Sequence, residues 1–525
     1  MAVDPSKDHR ANYDYTGGNS HESDLVEELK GLIEGEVRFD TYTRHLYATD
    51  ASIYEVTPIG VVFPKSTKDV AAVVAHCSEK SIPVLPRGGG TSLAGQAVNE
   101  AVILDFTKYM NEILEIDVPN KIVLVQPGAY LGTINAALKS HGLKFAPDPA
   151  WADKSAIGGA IGNNSTGSHS LVYEKTDAYI ESCEVVLSDG TVHEFGKVPI
   201  EDLENAEEGK GILQDVYSKV YKILEEREEI KNRYPDLNRN VSGYNLKRIC
   251  EESLEGEINM SHLICGSEGT LAIVTEVKLL LVEIPKRKEV ILFAYENLKS
   301  SMEDVTLILE HGPAAIEVMD KILLDLARDT IEFKDITESI PEEMGTILLV
   351  EFYANSKREG KEKANKLIKE IVSEESREGK IQKRAKYSVM ARDESEQIKF
   401  WKMRKSGLPI LLSRTSDEKH IAFVEDFAIP AKHLPEYVER FQRILEEQGT
   451  YASFYAHAGP GVLHIRPLIN TKTKSGVEMM NSIAELATDL VIEYGGAISG
   501  EHGDGRSRTQ WNKKLYGDRI WRMFR

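Results

Sequence analysis

Pro-Arg-Gly-Gly-Gly-Thr-Ser-Leu-Ala-Gly, residues 86–95, is the stretch that decides the fold. It directly follows a short apolar run that predicts a strand. Its three successive glycines permit positive φ and expose consecutive backbone N–H groups, an arrangement that suits a pyrophosphate. The spacing lacks both the third glycine of the Rossmann fingerprint and the Lys-Ser/Thr of a P-loop. A single glycine loop is more often an ordinary turn, so the interpretation depends on the surrounding sequence.

Two further stretches share this composition. Residues 158–168 read Gly-Gly-Ala-Ile-Gly-Asn-Asn-Ser-Thr-Gly-Ser, and residues 265–275 read Cys-Gly-Ser-Glu-Gly-Thr-Leu-Ala-Ile-Val-Thr, which leads directly into a strand. Short apolar runs alternate with helical segments around all three loops, an α+β pattern. Three separated small-residue segments in one domain indicate a long ligand that is contacted at several points. Unrelated turns remain the alternative.

Together with Gln-Pro-Gly at residues 126–128 and Pro-Asp-Pro at residues 147–149, these loops resemble the FAD-binding domain of the vanillyl-alcohol-oxidase/p-cresol methylhydroxylase (PCMH) superfamily. The resemblance implies a two-subdomain domain whose first loop wraps the FAD pyrophosphate. Some relatives link FAD covalently through a histidine in that loop, but the loop here has none, so we expect non-covalent FAD. The implied FAD-binding residues are Pro86, Arg87, Gly88, Gly89, Gly90, Thr91, Ser92, Gly95, Pro127, Gly128, Pro147, Asp148, Gly158, Gly159, Gly162, Asn163, Asn164, Ser165, Thr166, Gly167, Ser168, Glu268, Gly269, Ile273 and Val274.

Two histidine-containing stretches lie near the C-terminus, His-Ala-Gly-Pro-Gly-Val-Leu-His-Ile-Arg-Pro from residue 457 and Ser-Gly-Glu-His-Gly-Asp-Gly-Arg from residue 499. His457 and His464 would point to opposite faces of one regular strand. The Gly-Pro-Gly between them instead predicts a turn, and a hairpin would bring the two imidazoles together. With Glu501 they form a set of two histidines and one carboxylate, which leaves metal coordination positions open for a substrate. The alternative is that each histidine is a hydrogen-bonded structural residue.

The C-terminal stretches resemble the FAD-linked 2-hydroxyacid dehydrogenases of the D-lactate, glycolate and D-2-hydroxyglutarate group, in particular the large ones that join an FAD portion to an iron–sulfur portion. The resemblance implies a divalent metal on His457, His464 and Glu501, with zinc favoured over manganese or iron, and a catalytic role for His502. The group usually has Asp and Asn near Pro460 and Val462, and this sequence departs from it there.

A Trp-x-x-Arg motif, Trp401 to Arg404, matches the motif whose arginine holds the substrate carboxylate in that group. A guanidinium binds a carboxylate through two parallel hydrogen bonds. Arg466 is a second candidate for this role. The alternative for either arginine is an ordinary surface ion pair.

The predicted fold class is α+β, with three regions in order. Residues 1–30 form a flexible N-terminal arm, and residues 31–284 form the PCMH-type FAD-binding domain. A charged helical insertion occupies roughly residues 200–240. Residues 285–525 form a ferredoxin-like α+β substrate (cap) domain, a sheet over helices with a C-terminal helical segment. The resemblance implies a further stretch after the Glu-His-Gly-Asp-Gly motif, so we expect a truncated or split C-terminus.

The predicted function is oxidation of a D-2-hydroxy acid to the 2-oxo acid. His502 accepts the hydroxyl proton as general base, and the hydride passes to the flavin. The chain has no Cys-x-x-Cys motif, so we expect electrons to pass to an iron–sulfur partner or another carrier. One alternative is a non-redox enzyme of the alkyl-dihydroxyacetone-phosphate synthase type. Others are an inactive FAD-binding assembly subunit and a metallohydrolase.

Composition limits which ligands and which cellular locations we expect for the protein. The formal net charge of −20 argues against nucleic acid as a ligand, because no basic surplus exists to displace phosphate counterions. No apolar run approaches the length of roughly 18 residues that a membrane-spanning helix needs. Four scattered cysteines and a polar N-terminus predict buried thiols and a cytoplasmic protein, with peripheral contact to the inner face of the cytoplasmic membrane as a further expectation.

Overall fold

The structure is a computed structural model that describes residues 20–372, 385–412 and 415–525. Of the flexible arm predicted over residues 1–30, the first 19 residues lie outside these ranges. The remainder differs from the prediction, because it belongs to a helix, Ser20–Leu32. Leu25 and Leu29, four residues apart on this helix, are buried in an apolar cluster with Val70 and Val73. This one-sided burial holds the helix to the body of the protein.

The strands fall into an N-terminal part, up to residue 283, and a C-terminal part, which begins at residue 284 and contains the two longest strands, Arg287–Tyr295 and Thr346–Ala354. In chain order, the strands are β1 (Glu36–Arg38), β2 (Gly60–Phe63), β3 (Val84–Arg87), β4 (Val102–Asp105), β5 (Ile113–Asp117), β6 (Ile122–Val125), β7 (Leu143–Lys144), β8 (Ile180–Val186), β9 (Val192–Phe195), β10 (Lys197–Pro199), β11 (Glu257–Asn259), β12 (Ile273–Leu280), β13 (Val282–Glu283), β14 (Arg287–Tyr295), β15 (Ala315–Met319), β16 (Thr346–Ala354), β17 (Tyr387–Met390), β18 (Lys419–His420), β19 (Phe427–Ala428), β20 (Ala452–His457) and β21 (Val462–Ile469).

Helices connect most of these strands, and several begin with a side-chain N-cap, such as Ser66, Asn297, Asp393 and Thr473. They are α1 (Ser20–Leu32), α2 (Thr41–Leu46), α3 (Thr67–Glu79), α4 (Leu131–Leu138), α5 (Ile157–Gly162), α6 (Ser170–Tyr173), α7 (Ile200–Glu204), α8 (Ile212–Leu224), α9 (Arg227–Arg233), α10 (Leu246–Ser253), α11 (Met260–Ile264), α12 (Leu298–Leu309), α13 (Lys321–Arg328), α14 (Lys334–Thr337), α15 (Lys357–Val372), α16 (Glu394–Lys405), α17 (Gly407–Leu412), α18 (Leu434–Glu447), α19 (Lys474–Glu493), α20 (Gly505–Arg508) and α21 (Asn512–Met523).

The N-terminal part contains two main sheets, as the sequence predicted for a two-subdomain arrangement. One has the order β1-β2-β4-β3, with β4 parallel to both of its neighbours. The other is antiparallel, with the order β5-β6-β12-β8-β9. The first glycine loop follows β3, and the third leads into β12, the central strand of the second sheet. The loops therefore leave the two sheets at positions from which they can enclose one ligand.

The charged segment around residues 200–240 is largely helical, as predicted, and most of its charged side chains face outward, with Arg239 as a buried exception. The inner face of helix α8, however, is buried and not solvated. Tyr217, Val220 and Leu224 lie at helical spacing on α8 and are buried in the same apolar cluster as the second sheet. Amphipathic packing therefore makes this segment part of the folded core.

The C-terminal part is built on an antiparallel sheet of order β17-β14-β16-β15-β20-β21-β18, with β19 paired to β21. Alternate residues of β14 enter two different apolar clusters: Ile291 and Phe293 face one, and Val290 and Leu292 face the other. Side chains alternate across a strand, so a strand that is apolar at every position must be covered on both faces. Helices accordingly pack on both faces, whereas the sequence predicted a sheet with helices on one.

The hairpin predicted between His457 and His464 is present. Strands β20 and β21 are antiparallel neighbours, with His457 opposite Val462 and Tyr455 opposite His464. Gly461 closes the turn with φ of +80°, and a Cβ there would collide with the carbonyl oxygen of Ile429. Directly opposed residues of an antiparallel pair share one face of the sheet, so His464 lies on the face of Tyr455. His457 lies two residues after Tyr455 on the same strand, so both histidines are on that face.

Two predictions concern the cysteines and the helices. Cys77, Cys183, Cys250 and Cys265 are buried, free thiols, as the sequence predicted. No helix among the described residues has the length and apolarity that crossing a bilayer requires.

We expect Gly461→Ala to destabilise the protein more than Gly449→Ala. Both glycines have positive φ, which costs an L-residue about 1–2 kcal/mol, but a Cβ at Gly449 meets no atom within 4 Å. Only Gly461→Ala adds the collision with Ile429. Thermal unfolding of the FAD-loaded variants measures the difference, and equal loss of Tm in both would contradict the tight turn.

Candidate active site

The three glycine loops surround a cavity of about 430 Å³. Gly88 to Ser92 line it from the first loop, and Gly158, Gly159, Gly162, Asn163, Ser165 and Thr166 line it from the second. Glu268 and Gly269 of the third loop lie beside them. The wall also includes Glu501 and His502 from the C-terminal part. The cavity is therefore lined by the predicted cofactor loops and opens onto the predicted catalytic segment.

The first loop is held close to its neighbour by its lack of side chains. A Cβ at Gly89 would collide with the carbonyl oxygen of Lys154, and Gly90 has φ of +64°. The guanidinium of Arg87 braces the loop by donating to the carbonyls of Ala97 at 2.7 Å and Thr49 at 2.8 Å. This rigid, small-residue wall fits a ligand whose pyrophosphate is bound by backbone N–H groups.

Most of the predicted cofactor residues line this cavity. The lining members are Pro86, Arg87, Gly88, Gly89, Gly90, Thr91, Ser92, Pro127, Gly158, Gly159, Gly162, Asn163, Ser165, Thr166, Glu268, Gly269 and Val274. The others do not line it: Gly95, Gly128, Pro147, Asp148, Asn164, Gly167, Ser168 and Ile273.

Two of these outer residues have other contacts for their side chains. The amide of Asn164 donates to Asp177 at 3.0 Å, and the carboxylate of Asp148 accepts from the imidazole of His169. The sequence reasoning missed several lining residues, among them Gln96 and Trp151. Gln96 directly follows the first loop and Trp151 lies two residues after Pro149, so both are close in sequence to a predicted motif.

Three imidazoles converge on one oxygen of Glu501. The Nε2 atoms of His457, His464 and His502 lie 3.1, 3.2 and 3.3 Å from Glu501 Oε1. The ring centroids of His457 and His464 are 5.1 Å apart, and those of His464 and His502 are 5.0 Å apart. The structure thus brings together the three residues predicted as metal ligands and adds His502 to them.

The outer nitrogens of these imidazoles face buried carboxylates. His457 Nδ1 lies 2.7 Å from Glu317 Oε1, and His502 Nδ1 lies 2.7 Å from Glu425 Oε1. His464 Nδ1 is 3.5 Å from Glu425 Oε2 and makes no hydrogen bond within the described residues. Carboxylates behind histidine ligands fix the ring orientation and leave Nε2 free for a metal. The sequence resembles the family at Glu425-Asp426, but it did not predict a role for either carboxylate.

Asp426 holds the segment that carries Glu501 and His502. Its carboxylate accepts the N–H of Glu501 at 3.1 Å, the N–H of His502 at 2.7 Å and the hydroxyl of Ser499 at 2.6 Å. Asp426 itself has φ of +74°, a conformation that L-residues rarely adopt. One group of possible metal donors within 4.8 Å comprises Asp426, His464, Glu501 and His502. The carboxylate of Asp426 already accepts hydrogen bonds from Ser499, Glu501 and His502. We therefore regard Asp426 as a residue that positions the metal ligands and not as a ligand itself.

Electrostatics favours a cation in this cluster. Burial alone would raise the pKa of Glu501, but His457 and Arg239 hold that pKa well below its ordinary range. Burial likewise opposes a charge on His502, yet Glu425 and Asp426 raise its pKa well above the ordinary value. The carboxylates are therefore ionised, and the protein alone balances them with protons on imidazoles. A divalent metal on the Nε2 atoms would supply the same charge.

Two buried arginines lie next to the cluster around Tyr455. Arg404 NH2 is 2.7 Å from Glu317 Oε2, and its Nε makes no hydrogen bond within the described residues. Arg466 donates to the Tyr455 hydroxyl from Nε at 3.1 Å and from NH2 at 2.9 Å. The guanidinium of Arg404 lies 5.1 Å from the Tyr455 ring. Both predicted arginines are buried, so the surface ion-pair alternative is wrong for them.

Trp401, the first residue of the Trp-x-x-Arg motif, belongs to a clamp between the two parts of the chain. Its indole donates to Glu351 Oε2 at 2.6 Å, and the other oxygen of Glu351 lies 2.9 Å from His169 Nε2. His169 Nδ1 pairs with Asp148, next to the cavity-lining Pro149. The helix that carries Arg404 is thereby tied to the wall of the glycine-lined cavity.

Comparisons with known proteins agree with this arrangement. Residues 58–196 match the model for an FAD binding domain, and residues 284–525 match the model for the C-terminal domain of FAD linked oxidases. The D-2-hydroxyglutarate dehydrogenase of Pantoea ananatis is 31% identical over 510 residues, which is 95% of this chain and 49% of that protein. The glycolate oxidase subunit GlcD of Bacillus subtilis is 29% identical over 495 residues, 93% of this chain and 90% of that protein.

Solved structures share the fold. A p-cresol methylhydroxylase with substrate bound superimposes with a TM-score of 0.62 at 12% identity, covering 97% of this chain and 94% of that one. An alkyldihydroxyacetonephosphate synthase gives a TM-score of 0.61 at 17% identity, covering 96% and 84%. The chain spans about half the length of the D-2-hydroxyglutarate dehydrogenases it matches. The PCMH-type fold predicted from the sequence is confirmed.

The clamp gives a prediction for stability against pH. Burial alone would lower the pKa of His169, but Asp148 and Glu351 raise it to about 9. This folded-state pKa exceeds the unfolded value of about 6.5, so the contribution, on the order of 3 kcal/mol, is complete below pH ~6.5 and is lost as pH rises through ~9.

Urea unfolding at several pH values compares the wild type with His169→Gln, both loaded with FAD. We expect the stability advantage of the wild type to be largest near pH 6 and to shrink toward pH 10. An advantage that grows with pH would contradict a protonated His169.

Proposed function

Because the chain belongs to the family of FAD-linked oxidases, we propose that it is a flavoprotein dehydrogenase that oxidises a D-2-hydroxy acid to the 2-oxo acid. D-lactate, glycolate and D-2-hydroxyglutarate are the candidate substrates. One observation carries the proposal: His502 and Glu501 of the histidine–carboxylate cluster form part of the wall of the glycine-lined cavity. A hydroxy acid bound at this wall would lie next to the cofactor.

The glycine loops would hold FAD without a covalent bond, since the first loop contains no histidine. Bound FAD supplies the hydride acceptor, while the protein provides position and electrostatics. His457, His464 and Glu501 would hold a divalent metal, zinc in preference to manganese or iron, because their donor atoms converge and carboxylates lie behind two of the rings. Such a metal supplies a Lewis acid at the 2-hydroxyl.

Arg404 would anchor the substrate carboxylate, with Arg466 as a second anchor. A buried guanidinium binds a carboxylate strongly, because both partners are withdrawn from water and the two hydrogen bonds are charge-assisted. Tyr455 lies against both guanidinium groups and keeps them in place. The substrate is thereby fixed with its 2-hydroxyl directed toward the histidines.

His502 would take the hydroxyl proton as general base. Glu425 is ionised and only accepts hydrogen bonds, so Nδ1 of His502 carries the proton of that contact. The Nε2 atom is then the nitrogen available to the substrate. Without a metal, Glu425 and Asp426 raise the pKa of His502 and keep it protonated. A divalent metal on His457, His464 and Glu501 would supply that positive charge, so that the neutral imidazole could accept the substrate proton at Nε2.

The electron acceptor would be a partner subunit with iron–sulfur clusters, or another electron carrier. The chain contains no Cys-x-x-Cys motif, and the four cysteines are buried far apart in the sequence. GlcD of Bacillus subtilis is a subunit of a glycolate oxidase, and this chain covers 90% of it. We further propose a cytoplasmic protein that works beside such a partner, with peripheral membrane contact through it.

Anaerobic addition of D- and L-2-hydroxy acids to the FAD-loaded chain tests the proposal. We expect a D-2-hydroxy acid to bleach the oxidised-flavin absorbance within the dead time of manual mixing. Pre-incubation with a metal chelator should abolish bleaching, and added Zn²⁺ or Mn²⁺ should restore it. If no 2-hydroxy acid bleaches the flavin with the metal site filled, the non-redox synthase or the inactive assembly subunit becomes the better interpretation.

His502→Asn tests the proton transfer. Asparagine keeps an amide donor for Glu425 but has no basic nitrogen, so we expect the rate of flavin reduction to fall about 10²–10⁴-fold. Rapid-mixing absorbance measures this rate, and its dependence on substrate concentration gives the substrate Kd. His141→Asn, at an exposed position, is the control. A loss of binding as large as the loss of rate would reject the base role.

A further inference from the structure

A short segment of the N-terminal part, residues 239–243, lies along the catalytic segment, residues 499–504. The N–H of Val241 donates to the carbonyl of Ser499 at 2.9 Å, and the N–H of Ser499 donates to the Ser242 hydroxyl at 2.9 Å. The N–H of Gly243 donates to Asp504 Oδ2 at 2.7 Å. These contacts place Arg239, at the start of the segment, directly beside Glu501.

Arg239 is only 1% exposed, and all three of its guanidinium nitrogens donate hydrogen bonds. NH1 donates to Glu501 Oε2 at 2.9 Å. Nε donates to the Ser170 hydroxyl at 2.9 Å, and NH2 donates to the carbonyl of Gly167 at 2.8 Å. Two of the three contacts therefore fix the guanidinium to the end of the second glycine loop, and the third reaches across to the C-terminal part.

The two oxygens of Glu501 consequently have different surroundings. Oε2 is neutralised by Arg239, while Oε1 faces the Nε2 atoms of His457, His464 and His502. A carboxylate held in this way offers a single oxygen to a metal. Without the guanidinium, the group could rotate, present both oxygens and carry an uncompensated buried charge.

We infer that Arg239 is a positioning residue that makes Glu501 a one-oxygen ligand and sets its distance from the cofactor loop. This inference rests on the proposed function, because it requires a metal on His457, His464 and Glu501. Partners that orient metal ligands typically contribute about 10–100-fold to metal affinity. A purely structural role, as a clamp between the two parts, would instead affect folding and FAD retention.

The test uses the full chain loaded with FAD, with Arg239→Met, Arg239→Lys and the control Arg233→Met. Arg233 lies six residues earlier, at the end of α9, but it is exposed and pairs only with Glu229 among the contacts described. Zn²⁺ is titrated in competition with a chromophoric chelator to obtain its Kd. The d–d absorption of bound Co²⁺ reports the ligand geometry, and flavin absorbance reports FAD content.

We expect Arg239→Met to raise the Zn²⁺ Kd about 10–100-fold and to change the Co²⁺ spectrum, with FAD content unchanged. Arg239→Lys keeps the charge but not the three-pronged geometry, so its Kd should rise about tenfold. It also serves as the readout if the Met variant does not fold. Arg233→Met should match the wild type in both measurements.

Two other outcomes are distinguishable. If the Arg239 variants bind Zn²⁺ with the wild-type Kd and show the wild-type Co²⁺ spectrum, the inference is overturned and the proposed function is left intact. A wild type that binds neither metal overturns the metal in the proposed function, and the inference with it.

Discussion

The structure depends on the fact that one short segment, residues 499–505, is held from both sides. Asp426 of the C-terminal part accepts its backbone N–H groups, and Glu268 of the third glycine loop accepts those of Asp504 and Gly505. Buried backbone donors must find partners, so these two carboxylates determine where the segment lies. The cavity, the histidine cluster and the arginines have a defined relation to one another because of it.

Much of the fold was accessible from the sequence, because its signals are local. Glycine loops after apolar runs, a Gly-Pro-Gly turn and alternating helices and strands each depend on neighbouring residues. The second helical layer on the C-terminal sheet was missed, because its reason lies in β14, where every position from Val290 to Tyr295 is apolar and both faces need cover. The helix at Ser20–Leu32 was missed because its polar residues concealed two buried leucines.

The site was predictable in its inner residues and not in those behind them. His457, His464, Glu501, His502 and the two arginines stand in motifs with recognisable chemistry. Glu317, Tyr455 and Arg239 carry no such signal, since each is an ordinary residue type in an ordinary stretch of sequence. Their importance arises from contacts between residues far apart in the chain, such as the 2.9 Å bond from Arg239 to Glu501. Only the folded arrangement reveals such pairs.

The clamp of His169 between Asp148 and Glu351 has a consequence for how such proteins diverge or are recombined. Its cation comes from one half of the chain and one of its carboxylates from the other, and Arg239 and Glu501 are divided in the same way. A chimera that joined this N-terminal half to the cap of a relative would bury charges without their counterparts unless both pairs were transplanted together. The halves are therefore constrained to evolve as matched sets, even though each has its own sheets and core.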